Sequence, residues 1–136
     1  MTKAIPTVKR YMTTSPHSIG IEQNLVHAHK IMREHRIRHL PVLHGGNLVG
    51  VLSDRDLHLI ETLRDVDPAM VTVEEAMTPV VYTVAPDAPL DEVSNEMAEH
   101  KYGSAIVVDH GKVVGVFTTI DGMRALAELL ETRLKR

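Results

Sequence analysis

The sequence predicts an α/β (α+β) fold made of two β-α-β-β-α units packed with quasi-twofold symmetry. Three observations carry that prediction. Shifted by 65 positions, residues 8–60 fall on residues 73–125 without a gap, and the identities include Met12 with Met77, Leu25 with Leu90, His35 with His100, Gly50 with Gly115 and Asp56 with Asp121. Within each copy, apolar spacings of three and four alternate with short β-branched runs, the two periods of helix and strand. Turn residues fall at matching places, Gly45-Gly46-Asn47 and Asp109-His110-Gly111-Lys112, each between two such runs as a hairpin requires. The first repeat covers residues 5–63, a connector residues 64–72, and the second repeat residues 73–127, its last helix extending to about residue 135.

An extended piece near His17–Ile21 opens the first unit. A helix follows from about Leu25 to His35, with Leu25, Ala28, Met32 and His35 at helical spacing and Asn24 as its N-cap. The run His39–Leu43 reads as a strand in which Pro41 suggests an edge or strand-start position. Leu48–Leu52 forms the other arm of the hairpin, and a helix runs on from about Asp54 to Leu63. In the second unit Pro89 suits a first helical turn and Asp91 and Glu92 favour its N-terminal dipole; this helix carries Leu90, Val93, Met97 and His100. Ala105–Val108 and Val113–Phe117 form the second hairpin. The final helix starts near Thr119 and runs through Met123, Leu126, Ala127, Leu130 and Leu134. The helices after the hairpins are apolar on more than one side, through Leu57, Leu59, Ile60 and Leu63 in one and Ala125 and Leu129 in the other. One face covers the sheet, and the excess points to packing within the pair and to a homodimer.

At 136 residues the chain has the size of one ordinary domain, and 43% hydrophobic against 24% charged residues describe a globular protein with a real core. A net charge of -3 speaks against nucleic acid as the main partner. The absence of cysteine removes disulfides, thiolate nucleophiles and thiolate metal sites together. No apolar signal core begins the chain, and no run approaches the ~20 apolar residues of a membrane span, so a soluble cytoplasmic protein with no membrane partner is expected. Nucleophile-elbow, Walker A and HExxH sequences are absent, and no enzyme activity is expected. His27 and His29 stand two apart on a helix and point to different sides. His39 and His44 lack a carboxylate at ligand spacing, and His35 and His100 suit helix ends, so no metal site is expected.

The sharpest local pattern stands where each hairpin enters its helix. Gly50-Val51-Leu52-Ser53-Asp54-Arg55-Asp56 matches Gly115-Val116-Phe117-Thr118-Thr119-Ile120-Asp121: Gly, two apolar residues, a hydroxyl residue, two variable residues, then Asp. A hydroxyl and free N–H groups at a helix N-terminus attract phosphate. A carboxylate one turn on can accept both hydrogen bonds of a vicinal diol, as ribose offers. Ser/Thr-x-x-Asp is also a helix-capping pattern, and both roles stay open; the preceding Gly and apolar pair, present twice, shift the balance toward a site.

With Met12-Thr13 and Met77-Thr78 at the repeat starts and the strands Arg38-His39-Leu40-Pro41-Val42-Leu43 and Ser104-Ala105-Ile106-Val107-Val108, these segments give the chain a family likeness. Over roughly residues 5–127 it resembles a tandem pair of cystathionine β-synthase (CBS) domains, a Bateman module. The resemblance implies clefts between the repeats that bind adenosine-containing ligands, with the Ser or Thr on phosphate and the Asp on ribose. One cleft would combine His17, Ser18, Ile37, Arg38, His39 and Leu40 with Thr118 and Asp121. The other would combine Tyr82, Thr83, Tyr102, Gly103, Ser104 and Ala105 with Ser53 and Asp56. Arg38 and His39 would meet phosphates in the first. Arg55, opposite Ile120 in the repeat, would add a cation to the second or pair with Asp54 or Glu61 at the surface. Unequal occupancy of the two sites is therefore expected. The implied effector is AMP, ADP or ATP, with S-adenosylmethionine and NAD in the same class. The implied role is regulatory, exerted in trans on an unidentified protein or through a dimer surface. The alternative is a structural oligomerisation module with no nucleotide ligand.

Overall fold

The computed structural model describes residues 4–14 and 17–134. In chain order its strands and α-helices are β1 (Thr13–Thr14), β2 (Ile19–Gly20), α1 (Leu25–His35), β3 (His39–His44), β4 (Asn47–Ser53), α2 (Asp54–Glu61), α3 (Val73–Ala76), β5 (Thr83–Val84), α4 (Leu90–His100), β6 (Ser104–Asp109), β7 (Lys112–Thr118) and α5 (Thr119–Arg133). Two compact units result, Pro16–Val81 and Met1–Ser15 with Tyr82–Arg136. Residues 5–14, which open the first sequence repeat, thus pack with the sheet of the second.

In the unit Pro16–Val81, β2 lies parallel to β3 and β3 antiparallel to β4. The α1 stripe is buried through Leu25, Ala28 and Met32, and joins Ile19, Leu40, Val42, Leu52, Leu57 and Val73 in one core. Asn24 caps α1 as expected, its Oδ1 accepting the His27 N–H at 2.9 Å. Arg36 ends the helix in the left-handed region at φ 54°. The connector contains a short 3-10 helix, Pro68–Met70. It leads into α3, a turn of helix that apolar periodicity does not announce. Its cause is a capping box in which Thr72 Oγ1 accepts from Glu75 N–H at 3.3 Å and Glu75 Oε1 accepts from Thr72 N–H at 3.2 Å. The helix expected to reach Leu63 stops at Glu61, and Leu63 is half exposed.

Pro41 corrects the sequence reading. It stands inside β3, the central strand of this sheet, and its side chain is fully buried. The repeat shows why this is tolerated. At the equivalent place in the other unit, Ile106 N–H donates to the Tyr82 carbonyl at 2.9 Å. Proline gives up that one bond, while the ladder between β2 and β3 begins one residue later at Ile19 and Val42.

The other unit holds a four-stranded sheet in the order β1-β7-β6-β5. Its core gathers Val8, Leu90, Val93, Met97, Ala105, Val107, Phe117 and Ala125. The opening segment is stitched in by Val8 N–H to the Ala88 carbonyl and Leu90 N–H to the Pro6 carbonyl, both 2.9 Å. Helix α5 ends at Arg133, and the last residue of the expected helix, 135, lies outside the described residues. Ile120, Met123, Leu126, Leu130 and Leu134 are about half exposed or more on α5 and just past its end, as is Leu59 on α2.

The two Met-Thr landmarks and the two motif glycines meet. A Cβ on Gly50 would press on the Met77 side chain and stand 2.9 Å from the Thr78 carbonyl oxygen. A Cβ on Gly115 would press on Met12 and stand 3.0 Å from the Thr13 carbonyl oxygen. Val51 and Thr78 exchange backbone hydrogen bonds of 3.0 and 2.9 Å at this crossing. The glycine that opens each motif therefore admits a crossing segment, β1 at Gly115 and the Met77-Thr78 bridge at Gly50.

Candidate functional site

At one end of the sheet in Pro16–Val81, the end of β4 meets the start of β3, with His39 and Ser53 as register partners. Asp54 N–H donates to the Arg38 carbonyl at 2.9 Å and locks the entry to α2 onto the strand. Ser53 and Asp56 close a capping box: Asp56 Oδ2 accepts the Ser53 N–H at 2.8 Å, and Ser53 Oγ accepts the Asp56 N–H at 3.2 Å. Asp56 is half-buried, and its Oδ1 has no partner among the described residues. His17 and Ser18 lead into β2, and the His17 ring stacks on His35 at 3.6 Å between centroids. His39 Nδ1 is buried without a hydrogen-bond partner among the described residues. Burial pulls the His39 imidazole below its ordinary value of 6.5, against the opposing pull of the Asp54 and Asp56 carboxylates.

The other unit repeats the plan with different chemistry. Ser104 and Thr118 are register partners, and Thr119 N–H donates to the Gly103 carbonyl at 3.2 Å. Thr118 and Asp121 form the second capping box, with Asp121 Oδ2 accepting the Thr118 N–H at 2.9 Å and its hydroxyl at 3.1 Å. Thr13 Oγ1 reaches Asp121 Oδ1 at 3.5 Å, so both carboxylate oxygens are engaged and the residue is only 5% exposed. Tyr102 stacks between Tyr82 and His100, 5.2 Å from each. Burial, then the Glu96 carboxylate, push the Tyr82 hydroxyl above 10.0.

Within each unit the start of the hairpin's first strand stands beside that unit's own hydroxyl residue, Arg38 and His39 beside Ser53 and Asp54, and Gly103 and Ser104 beside Thr118 and Thr119, while His17, Ser18, Tyr82 and Thr83 lead toward the strands on the other side of β3 and β6. Leu40 and Ala105 are fully buried in the core. Arg55 takes no ion pair among the described residues. Asp54 lies 3.9 Å from Arg38 instead, and Glu61 Oε1 is 2.9 Å from His29 Nδ1. Sequence reasoning missed both aromatic stacks, although the 65-residue shift puts His17 on Tyr82 and His35 on His100. It also missed Glu96, Glu99 and His100 on α4, whose ligand atoms lie within 4.8 Å of one another; their i, i+3, i+4 spacing was the available signal.

Two β-α-β-β-α units, each closing a hydroxyl–carboxylate box where its hairpin enters a helix, define a duplicated small α/β module. Its family follows from the sequence: the CBS domain profile matches residues 8–59 and 73–128, and the chain belongs to the CBS domain family as a tandem pair. The CBS domain-containing protein YhcV of Bacillus subtilis is 31% identical over 110 residues, covering 81% of this chain and 78% of that protein. The solved CBS domain pair of protein MJ0100, in complex with 5′-methylthioadenosine and S-adenosyl-L-methionine, is 30% identical with TM-score 0.83. The match covers 92% of this chain and 98% of that one. CBSX2 in complex with AMP is 26% identical with TM-score 0.80, over 91% of this chain and 98% of that one.

Proposed function

We propose that the chain is a cytoplasmic, non-catalytic regulatory module that binds an adenosine-containing ligand and passes its bound state to a dimer surface or a partner protein. The observation that carries this reading is the open carboxylate of Asp56 beside the Ser53 cap. Its Oδ2 holds the cap while Oδ1 is available to a ribose hydroxyl. The cations Arg38 and Arg55 line one groove with Asp54, next to this cap. The complexes of CBSX2 and MJ0100 support an adenosine ligand, since those relatives share the pair architecture. The repeats differ, and Asp56 is the better diol acceptor because Asp121 is buried with both oxygens engaged. Signalling requires that ligand bind one arrangement of the molecule more tightly than another. The exposed leucines of α2 and the α5 region are the surface proposed for a second copy.

The test is a melting panel with AMP, ADP, ATP, NAD and S-adenosylmethionine on the wild type, Asp56→Asn and Asp121→Asn. Asparagine keeps an acceptor for the cap and loses the second carboxylate oxygen. At 100-fold Kd a true ligand stabilises by about 2.7 kcal/mol, and Asp56→Asn removes more of that shift than Asp121→Asn. The closed capping boxes favour the structural alternative, and a panel with no shift for any ligand establishes it.

A further inference from the structure

The unit Pro16–Val81 carries an open groove of about 830 Å³ between α1 and α2 that its counterpart does not reproduce in charge. Arg33, Arg36, Arg38 and Arg55 line it, with His29 and His58. Acid neutralises little of this. Glu61 is taken by His29 at 2.9 Å, and Asp54 reaches only Arg38, at 3.9 Å. Arg33, Arg36 and Arg55 have no carboxylate partner among the described residues.

The second repeat supplies an internal control. At the places of Arg33, Arg38, Arg55 and His58 it carries Ala98, Gly103, Ile120 and Met123; only Arg36 keeps a cation, as Lys101. The same helices, hairpin and capping box form there without the charges. Fold stability thus gives no reason for concentrating guanidiniums on one groove, whose mutual repulsion costs energy until an anion enters.

The geometry points to an oligophosphate-binding site in the α1–α2 groove. Guanidinium forks match phosphate oxygens two at a time. One orthophosphate cannot occupy four such forks spread around an open groove, whereas a chain of phosphates can. A long polyanion such as nucleic acid is disfavoured by the net charge of -3. The site shares Arg38 and Arg55 with the edge of the Ser53–Asp56 region but needs no nucleoside. The phosphates can come from free oligophosphate or from the tail of a nucleotide.

Titration calorimetry on the full chain with tripolyphosphate, orthophosphate, ATP and AMP separates these. Tripolyphosphate is expected to bind at one site per chain, at least about tenfold tighter than orthophosphate, and to weaken as salt rises from about 50 to about 200 mM. The double variant Arg33→Ala, His58→Met carries residues that the fold accepts in the other repeat. It is expected to keep the wild-type melting point and lose about tenfold in tripolyphosphate affinity. Equal affinity for orthophosphate and tripolyphosphate, no tripolyphosphate binding, or an unaffected double variant overturns the site. ATP binding without tripolyphosphate binding also overturns it and leaves the adenosine reading standing. Tripolyphosphate binding with no response to AMP or ATP supports the groove and removes AMP and ATP as the adenosine ligand.

Discussion

His39 shows how a single side chain in the site couples to stability. Its imidazole lies at the start of β3 with a buried Nδ1 that has no partner among the described residues, and burial holds its proton affinity below the ordinary 6.5 despite Asp54 and Asp56. In the unfolded chain it protonates near 6.5. In the folded chain it stays neutral to lower pH, so the unfolded state binds more protons across that window. The stability it contributes is present above 6.5 and is lost as pH falls below it. His39→Ser, which installs the residue of the second repeat, should flatten the fall in unfolding free energy between about pH 7 and about pH 5 relative to wild type. An NMR titration giving His39 a value at or above 6.5 would sink the argument. Asp56 and Asp121 teach the same lesson in another form. Identical residues at identical repeat positions differ in availability because Thr13 reaches Asp121 alone.

At the scale of elements, the crossings at β4 and β7 set tolerance to substitution. Gly50→Ala and Gly115→Ala drive a methyl against a backbone carbonyl as well as a methionine, and a carbonyl inside a bridge has nowhere to go. Each is expected to destabilise by about 1–3 kcal/mol in chemical denaturation. Gly122→Ala should do the opposite. Its new methyl meets only Phe117, at an ordinary 3.7 Å, and alanine replaces glycine inside α5, a gain of up to about 1 kcal/mol. If all three shift the midpoint alike, the crossings are not the reason for the motif glycines. The four longer helices, the hairpins and the Ser53 and Thr118 boxes were legible because periodicity, turn residues and caps are written locally, and Asn24, Ser53 and Thr118 cap as their spacing promised; the single turn of α3 with its Thr72 box is too short to show a period. The crossings were not, since nothing near Met12 or Met77 in sequence names Gly115 or Gly50 as a neighbour. Pro41 was misplaced for a related reason. Propensity forbids proline in a ladder in general, but only the actual register shows which single bond is lost. In the site, the hydroxyl–carboxylate pairs could be read from spacing, whereas engagement of Asp121 and the stacks on His35 and Tyr102 depend on tertiary neighbours.

For the whole molecule, the covalent repeat and the compact unit are different partitions of the chain, and mutations should obey the second. Val8 and Val73 are equivalent by the 65-residue shift, and both are fully buried. Val8 packs in the core of Phe117, Ala105 and Val107, while Val73 packs with Leu40, Val42 and Leu52. Truncating either to alanine removes buried methyl groups and leaves a void, a loss of about 2 kcal/mol. Local opening energies follow the contacts that an element makes. Val8→Ala should therefore speed amide exchange in β6 and β7 and leave β3 and β4 near wild type. Val73→Ala should do the reverse, although it lies outside the residues of the first repeat. Hydrogen exchange read by mass spectrometry on the full chain resolves the two sheets. If Val8→Ala loosens β3 and β4, the sequence repeats are the energetic units after all. If each variant loosens both sheets equally, the chain opens as one cooperative body. Loosening confined to β6 and β7 means that the stretch before residue 16 is a structural part of the second unit.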